Sequence, residues 1–198
     1  MKDNSSKQIL LSVLGVAILV VAVVGVSFAA FTFSQAGTVE NTISTGTLSM
    51  TYSEGSTGIT ITDAMPMSDE AGKVLNGENQ TFKFSVGANI SGTATINYEI
   101  AAIKKETSTL ADSDVRLYLE KGTSADGPFS EAFAPAQFTP LGSATALGSP
   151  QGSMVLESGT FSTTSTNYYV LRMWVKEDAV ITGTAQTYTV TVNVYGQA

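Results

Sequence analysis

The chain has 198 residues, no cysteine, no histidine and a formal net charge of −7. The two absent residue types exclude zinc sites built on thiolate or imidazole, and they exclude catalysis by a histidine base. The acidic balance, without a basic cluster, argues against nucleic acid and against an anionic membrane surface as partners.

The first thirty residues have the composition of an export signal or a membrane anchor. Lys2 and Lys7 precede an uncharged apolar segment that extends from Ile9 to Phe28. Lysines at this position favour a cytoplasmic start, so the remainder of the chain is exported. The segment is long enough for a signal sequence or for a spanning helix. We therefore predict that residues 1–30 are a signal peptide or a membrane-anchor helix.

Small residues at the end of the apolar segment favour cleavage, and hence a secreted protein, over an anchored one. A cut between Ala30 and Phe31 places Phe28 three positions before the cut, whereas cuts after Ala29 or Ala36 follow the small-x-small pattern more closely. The chain after Ala30 keeps eight basic and sixteen acidic residues, a net charge of −8. Without disulfides, an exported domain depends for stability on its core or on neighbouring subunits.

From residue 45 onward, apolar and polar residues alternate with the period of a β-strand. Clusters of Gly, Asn and Ser separate the alternating runs, for example at 54–58 and 75–79. We predict one all-β domain over residues 45–198, a jelly-roll-like antiparallel β-sandwich of about seven to nine strands. The alternating segments are 48–52, 59–62, 81–86, 95–100, 115–119, 169–175 and 188–194.

Residues 122–152 interrupt the alternation. They hold four of the five prolines and three dispersed phenylalanines, Phe129, Phe133 and Phe138. We predict a long surface loop here, with a short helix around residues 130–134 as a weaker alternative. Its phenylalanines are expected to pack onto the edge of the sandwich, because exposed aromatic side chains lower solubility.

Acidic residues are the remaining candidates for chemistry, and they are grouped in turn-like segments. A pair of carboxylates would suit glycoside hydrolysis, but Asp in turns commonly bonds to its own backbone. We interpret these residues as turn residues and expect no enzyme activity. They are Asp63, Asp69 with Glu70, Asp112 with Asp114, and Glu177 with Asp178. Asp112 and Asp114 are also weak candidates for binding calcium, although EF-hand spacing is absent, and we expect no other cofactor.

The run 169–175 carries a second set of side chains on its opposite face. Trp174, the single tryptophan, shares that face with Tyr168 and Arg172. An exposed stripe of this kind would be a candidate surface for a sugar or a protein partner. The alternative, which we favour, is a strand buried on both faces in the centre of the sheet.

Four short motifs, all in the first half of the chain, point to a known family. In chain order they are Ala29-Ala30-Phe31, Ser44-Thr45-Gly46-Thr47-Leu48-Ser49-Met50, Pro66-Met67-Ser68-Asp69-Glu70 and Gln80-Thr81-Phe82-Lys83-Phe84-Ser85-Val86. This region resembles the TasA/camelysin family of exported biofilm-matrix fibre proteins. The family has an aromatic residue three positions before its cleavage site, so the resemblance implies a cut between Ala30 and Phe31 by a dedicated signal peptidase.

The resemblance implies a structural subunit of an extracellular fibre, in which copies join head to tail and other matrix components are further partners. Residues 31–44 are the implied donor strand, which would complete a sheet of the next subunit, with Phe31, Phe33, Val39 and Ile43 as apolar anchors. The alternatives for this segment are a plain N-terminal strand packed in its own domain and a flexible tether above the membrane.

Two other functions follow from the same residues. Camelysin implies a metal-dependent peptidase, which we discount because the chain has no histidine for a zinc site. A binding module, tethered to the membrane by residues 9–28 or exposed at the cell surface, would instead use the loop 122–152 or the stripe at Trp174.

Overall fold

The computed structural model describes residues 32–36, 41–45, 48–55, 59–62, 65–77, 81–181 and 186–198. The predicted signal or anchor segment, the Ala30-Phe31 junction and Val39 lie outside these ranges. Among the described residues, no helix is long and apolar enough to cross a membrane.

Eleven strands, one short α-helix and one 3-10 turn make up the described part of the chain. The strands are β1 Thr32–Ala36, β2 Asn41–Thr45, β3 Leu48–Glu54, β4 Thr60–Thr62, β5 Thr81–Ile90, β6 Ile96–Lys104, β7 Val115–Gly122, β8 Phe129–Ala136, β9 Met154–Phe161, β10 Ser165–Val175 and β11 Thr187–Gln197. The helix α1 is Asp69–Lys73, and the 3-10 turn is Asp112–Asp114.

The strands form two sheets. The five-stranded sheet has the order β1-β11-β6-β9, with β4 also paired to β11, and the six-stranded sheet has the order β2-β3-β5-β10-β7-β8. From β3 to β11 the chain changes sheet at every connection except the one from β7 to β8, and the pairs with a described register are antiparallel. The prediction of an all-β antiparallel sandwich is therefore confirmed.

One hydrophobic core contains side chains from both sheets. The apolar members of the alternating runs supply most of it, as their period requires, because burial of these side chains is the main stabilising contribution. The contributors from the two longest strands are Tyr169, Leu171, Met173 and Val175 on β10, and Tyr188, Val190, Val192 and Val194 on β11.

A buried polar network also joins the sheets. The hydroxyls of Tyr98 on β6 and Tyr169 on β10 are 2.7 Å apart, and the Asn167 amide donates to the Tyr98 hydroxyl over 3.2 Å. Lys121 Nζ lies 3.0 Å from the Glu157 carboxylate. Burial alone would lower the pKa of Lys121, but its bonds to Glu157 and Tyr98 raise it overall. The network satisfies polar groups that would otherwise be costly to bury.

The segment 122–152 is only partly a loop. It contains β8, so the prediction of a continuous loop and the helical alternative at 130–134 were both wrong. β8 is an edge strand with two register shifts against β7, and an edge strand tolerates its internal Pro135. These features remove the regular alternation on which sequence-based detection depends. Phe138 is buried in the core and Phe133 packs against it, as expected, whereas Phe129 is half-buried.

The rest of this segment folds back on the outer face of the five-stranded sheet. Glu99 of β6 accepts hydrogen bonds from the hydroxyls of Thr145, at 2.6 Å, and Ser149, at 2.7 Å. Ser149 is fully buried. Two bonds to one carboxylate hold this part of the segment against the sheet.

Candidate functional sites

The N-terminal segment contributes an edge strand to each sheet. β1 lies beside β11, and β2 pairs with β3. β6 is paired with residues 190–197 of β11, so β1 follows the opposite edge of β11. Two predicted donor residues fall on these strands, Phe33 on β1 and Ile43 on β2, opposite Met50 of β3.

This placement has a consequence for strand exchange. An edge strand can leave without breaking a ladder inside the sheet, and its neighbour then presents unpaired main-chain N–H and C=O groups. Loss of β1 would expose one edge of β11, whose Val190, Val192 and Val194 belong to the core. Such an edge can accept an extended strand from another chain.

The predicted partner surface on β10 is mostly buried. Trp174 and Arg172 are only 1% and 9% exposed, so the three side chains do not form an exposed stripe. Burial on both faces, the alternative, is confirmed for residues 169–175. The cover on Trp174 comes from α1, where a Cβ on Gly72 would overlap the indole ring. Tyr168 alone of the three is partly accessible.

The Arg172 guanidinium binds groups of the protein itself. Its Nε donates to the carbonyl oxygen of Leu75 over 2.6 Å, and its Nη1 lies 2.5 Å from Glu120 Oε2. Glu120 also accepts from the Tyr118 hydroxyl over 3.1 Å. Burial and the neighbouring Glu120 charge raise the pKa of Tyr118 to about 12. Arg172 therefore ties the chain after α1 to the sheet, a structural role.

We expect Gly72→Ala to destabilise the protein by about 1–3 kcal/mol. A methyl group at this position overlaps the Trp174 ring, so either α1 or the ring must move. Urea unfolding of the variant and the wild type measures the difference. Gly142→Ala is the control, because no atom lies within 4 Å of a Cβ built there. Equal stability of Gly72→Ala and wild type would contradict this account of the cover on Trp174.

The weak calcium candidates are already engaged by protein groups or do not converge. The Asp112 carboxylate lies 2.6 Å from Lys104 Nζ and accepts from the Tyr188 hydroxyl over 2.8 Å. Asp114 accepts from the Ser113 hydroxyl over 3.4 Å. Within the part of the chain that the structure describes, no three acidic side chains are grouped to hold a metal. The geometry gives no support to calcium binding by Asp112 and Asp114.

Two of the other carboxylate pairs are brought together beside α1 and the end of β10. One shallow depression is lined by Ser68, Asp69, Glu70, Arg116, Lys176, Glu177 and Asp178. Lys176 Nζ lies 3.3 Å from Asp178, and this bond lowers the pKa of Asp178. Asp69 lies in the first turn of α1, where negative charge is favourable, and 3.8 Å from Arg116 Nε. These contacts are structural, and Asp63 lies outside the described residues.

Tyr168 lines a cleft that the sequence did not predict. The cleft has a volume of about 310 Å³ and lies on the outer face of the six-stranded sheet, below the connection between β7 and β8. Ser53, Ser85, Asp126 and Phe129 also line it. The one usable signal was Phe129, an aromatic residue in a turn-rich segment, which becomes part of this site only through the strand order.

Comparison with known proteins gives no family. No family model and no curated protein sequence matches the chain. Among solved structures, the T13 particle of IBDV aligns with 77% of this chain and 31% of its own at 8% identity, with a TM-score of 0.41. The VP2 subviral particle of infectious bursal disease virus aligns with 77% and 33% at 8% identity, with a TM-score of 0.40.

A bacterial domain is similar at the same low level. The K1 cleaved adhesin domain of Lys-gingipain from Porphyromonas gingivalis W83 aligns with 85% of this chain and 99% of its own at 10% identity, with a TM-score of 0.31. The chain spans about a third of the length of the viral chains. These similarities carry no argument about function.

Proposed function

We propose that this protein is an exported structural subunit that polymerises head to tail into an extracellular fibre by exchanging its N-terminal strand. The observation that carries the proposal is the position of β1 and β2. Residues 32–45 follow the predicted cleavage junction, and they supply an edge strand to each sheet. The resemblance to the TasA/camelysin family supports the same role.

The exchange replaces the N-terminal strands of one copy with the identical strands of another copy. When β1 leaves β11 and β2 leaves β3, the same two strands from another copy restore the same main-chain bonds, so little free energy separates the paired states. Each subunit then gives a strand in one direction and receives one from the other. Because this contact does not close on itself, it propagates as a filament.

The first test is negative-stain electron microscopy of purified residues 31–198 at rising concentration. We expect regular filaments, since assembly between copies is favoured by concentration. The matched variant contains residues 45–198 and lacks β1 and nearly all of β2. It is expected to stay monomeric while far-ultraviolet circular dichroism still reports a folded β-protein. Persistent monomers of 31–198, or filaments of 45–198, would overturn strand exchange.

A second candidate function is a binding module at the cell surface, tethered by residues 9–28 or released. The observation that favours it is the cleft beside Tyr168. Recovery of the mature protein from cells with residues 9–28 still attached, as shown by its intact mass, would favour the tethered form.

A further inference from the structure

A single row of residues crosses five strands on the outer face of the six-stranded sheet. Ser53 pairs with Ser85, Ser85 with Tyr168, Tyr168 with Gly122, and Gly122 with Phe129. Directly paired residues in antiparallel strands share a face. The residues next to them along β3, β5 and β10 include core side chains, so this row points outward.

Two glycines set the position of the Phe129 ring. A Cβ on Gly122 would lie 3.0 Å from one edge of the ring, and a Cβ on Gly127, which has φ +84°, would lie 3.0 Å from the other. The ring therefore fills the space above Gly122, beside Tyr168, where most residue types would exclude it. The chain thus holds a half-exposed aromatic ring at the cleft and not in the core.

Four polar side chains of the cleft are available to a ligand. Among the described residues, none bonds to the hydroxyl groups of Ser53, Ser85 and Tyr168 or to the Asp126 carboxylate. Lys83 stands at the same cleft. The lining therefore combines aromatic surface with the hydroxyls of Ser53, Ser85 and Tyr168 and the Asp126 carboxylate in a concave site.

We propose that this cleft binds a neutral hexopyranose unit of a polysaccharide. Such a sugar presents an apolar C–H face, which packs against an aromatic ring, and hydroxyls that both donate and accept hydrogen bonds. Tyr168 and Phe129 supply the rings, and Ser53, Ser85 and Asp126 supply the hydrogen-bonding groups. The volume of about 310 Å³ falls at the small end of ligand sites, the size of one or two sugar rings.

The chemistry and position of the cleft favour a neutral sugar over an anionic sugar and over an extended peptide. One carboxylate, on Asp126, and one ammonium, on Lys83, leave the cleft without an excess charge, which favours a neutral sugar over an anionic one. The cleft lies on the face of the sheet, where main-chain groups are already paired in the ladder. An extended peptide therefore cannot bind here by adding a strand. Because the cleft lies on the face of the six-stranded sheet and not at the sheet edges that β1 and β2 occupy, sugar binding is a function additional to fibre assembly.

The test is isothermal titration of the full chain, kept in a detergent without a sugar head group, with cellotetraose and with tetra-N-acetylglucosamine. We expect at least one of them to bind, and Tyr168→Ala and Phe129→Ala each to weaken that binding about tenfold. Tyr168→Phe keeps the ring and is expected to lose less. Thr166→Ala is the matched control, because Thr166 is exposed on the same strand and face, one row from the cleft.

Three results would overturn the proposal. They are no binding of either oligosaccharide at millimolar concentration, binding that neither alanine variant weakens, and tighter binding of tetragalacturonate, an anionic control. Circular dichroism of both alanine variants separates lost binding from lost folding, and Phe129 lies outside the core, so its variant is expected to fold. Titration of monomeric protein keeps the outcome independent of fibre assembly.

Discussion

Raising the pH above 10 is expected to destabilise this protein steeply, because three core tyrosines resist ionisation. Tyr52, Tyr169 and Tyr188 are at most 1% exposed. Burial raises the pKa of each hydroxyl well above its ordinary value of 10.0. The Glu54 carboxylate adds to this effect at Tyr52, and Asp112 adds to it at Tyr188.

The direction of the change in stability follows from the number of protons that the folded and unfolded states bind. Above pH 10 the unfolded chain has released tyrosine protons that the folded protein still holds, so the free energy of unfolding falls as pH rises. Each buried tyrosine contributes a slope of about 1.4 kcal/mol per pH unit, roughly 4 kcal/mol for the three. Below the unfolded pKa both states keep these protons, and the three groups give no pH dependence there.

Urea unfolding between about pH 9 and pH 12 measures this slope, and absorbance of tyrosinate reports ionisation. Tyr188→Phe is expected to reduce the slope by about a third. Thr166→Ala is the control and leaves the slope unchanged, because Thr166 is exposed and its replacement removes no ionisable group. Tyrosinate absorbance of all three residues in a protein that remains folded near pH 10 would contradict the prediction.

The sequence predicted which side chains of the long strands face the core, because successive residues of these strands point alternately to the core and away from it. The sequence did not predict β9, although the apolar residues Met154 and Leu156 alternate with their neighbours there. The alternation in β9 ends at Gly159, where a Cβ would lie 2.6 Å from the Tyr98 ring. The Tyr98 side chain, from the paired strand β6, fills the space that a side chain at position 159 would occupy. At β8, Pro135 and an irregular register removed the signal in a similar way. Local packing demands overrode the period at both places.

The candidate site was less predictable than the fold, because side-chain spacing gives a shared face but not what covers it. Tyr168, Arg172 and Trp174 do share a face of β10. A five-residue helix about a hundred positions earlier in the sequence covers Trp174 and leaves Tyr168 accessible. The cleft beside Tyr168 depends in turn on Phe129 and Ser53, which are joined only by strand register. Alternation carries no information on register between distant strands.

A disulfide between β2 and β3 is expected to abolish filament assembly, and its reduction is expected to restore it. Thr42 and Thr51 are direct partners in the β2–β3 ladder, at a separation that a disulfide can span. Because the chain has no cysteine, Thr42→Cys with Thr51→Cys introduces a single defined pair. When oxidised, β2 cannot leave its own sheet. Electron microscopy of residues 31–198 of this variant, with and without dithiothreitol, makes the comparison.

The control disulfide joins two strands that stay in the same subunit when the N-terminal segment is exchanged. Ser53→Cys with Ser85→Cys links β3 to β5, so this variant is expected to form filaments in both redox states. Filaments of the oxidised Thr42–Thr51 variant would show that β2 stays in its own subunit, and residues 31–44 could not act as one donor segment. Filaments lost in both oxidised variants would mean that rigidity of the six-stranded sheet blocks assembly. Only loss confined to the variant with the β2–β3 disulfide, reversed by reduction, ties fibre growth to departure of the N-terminal segment.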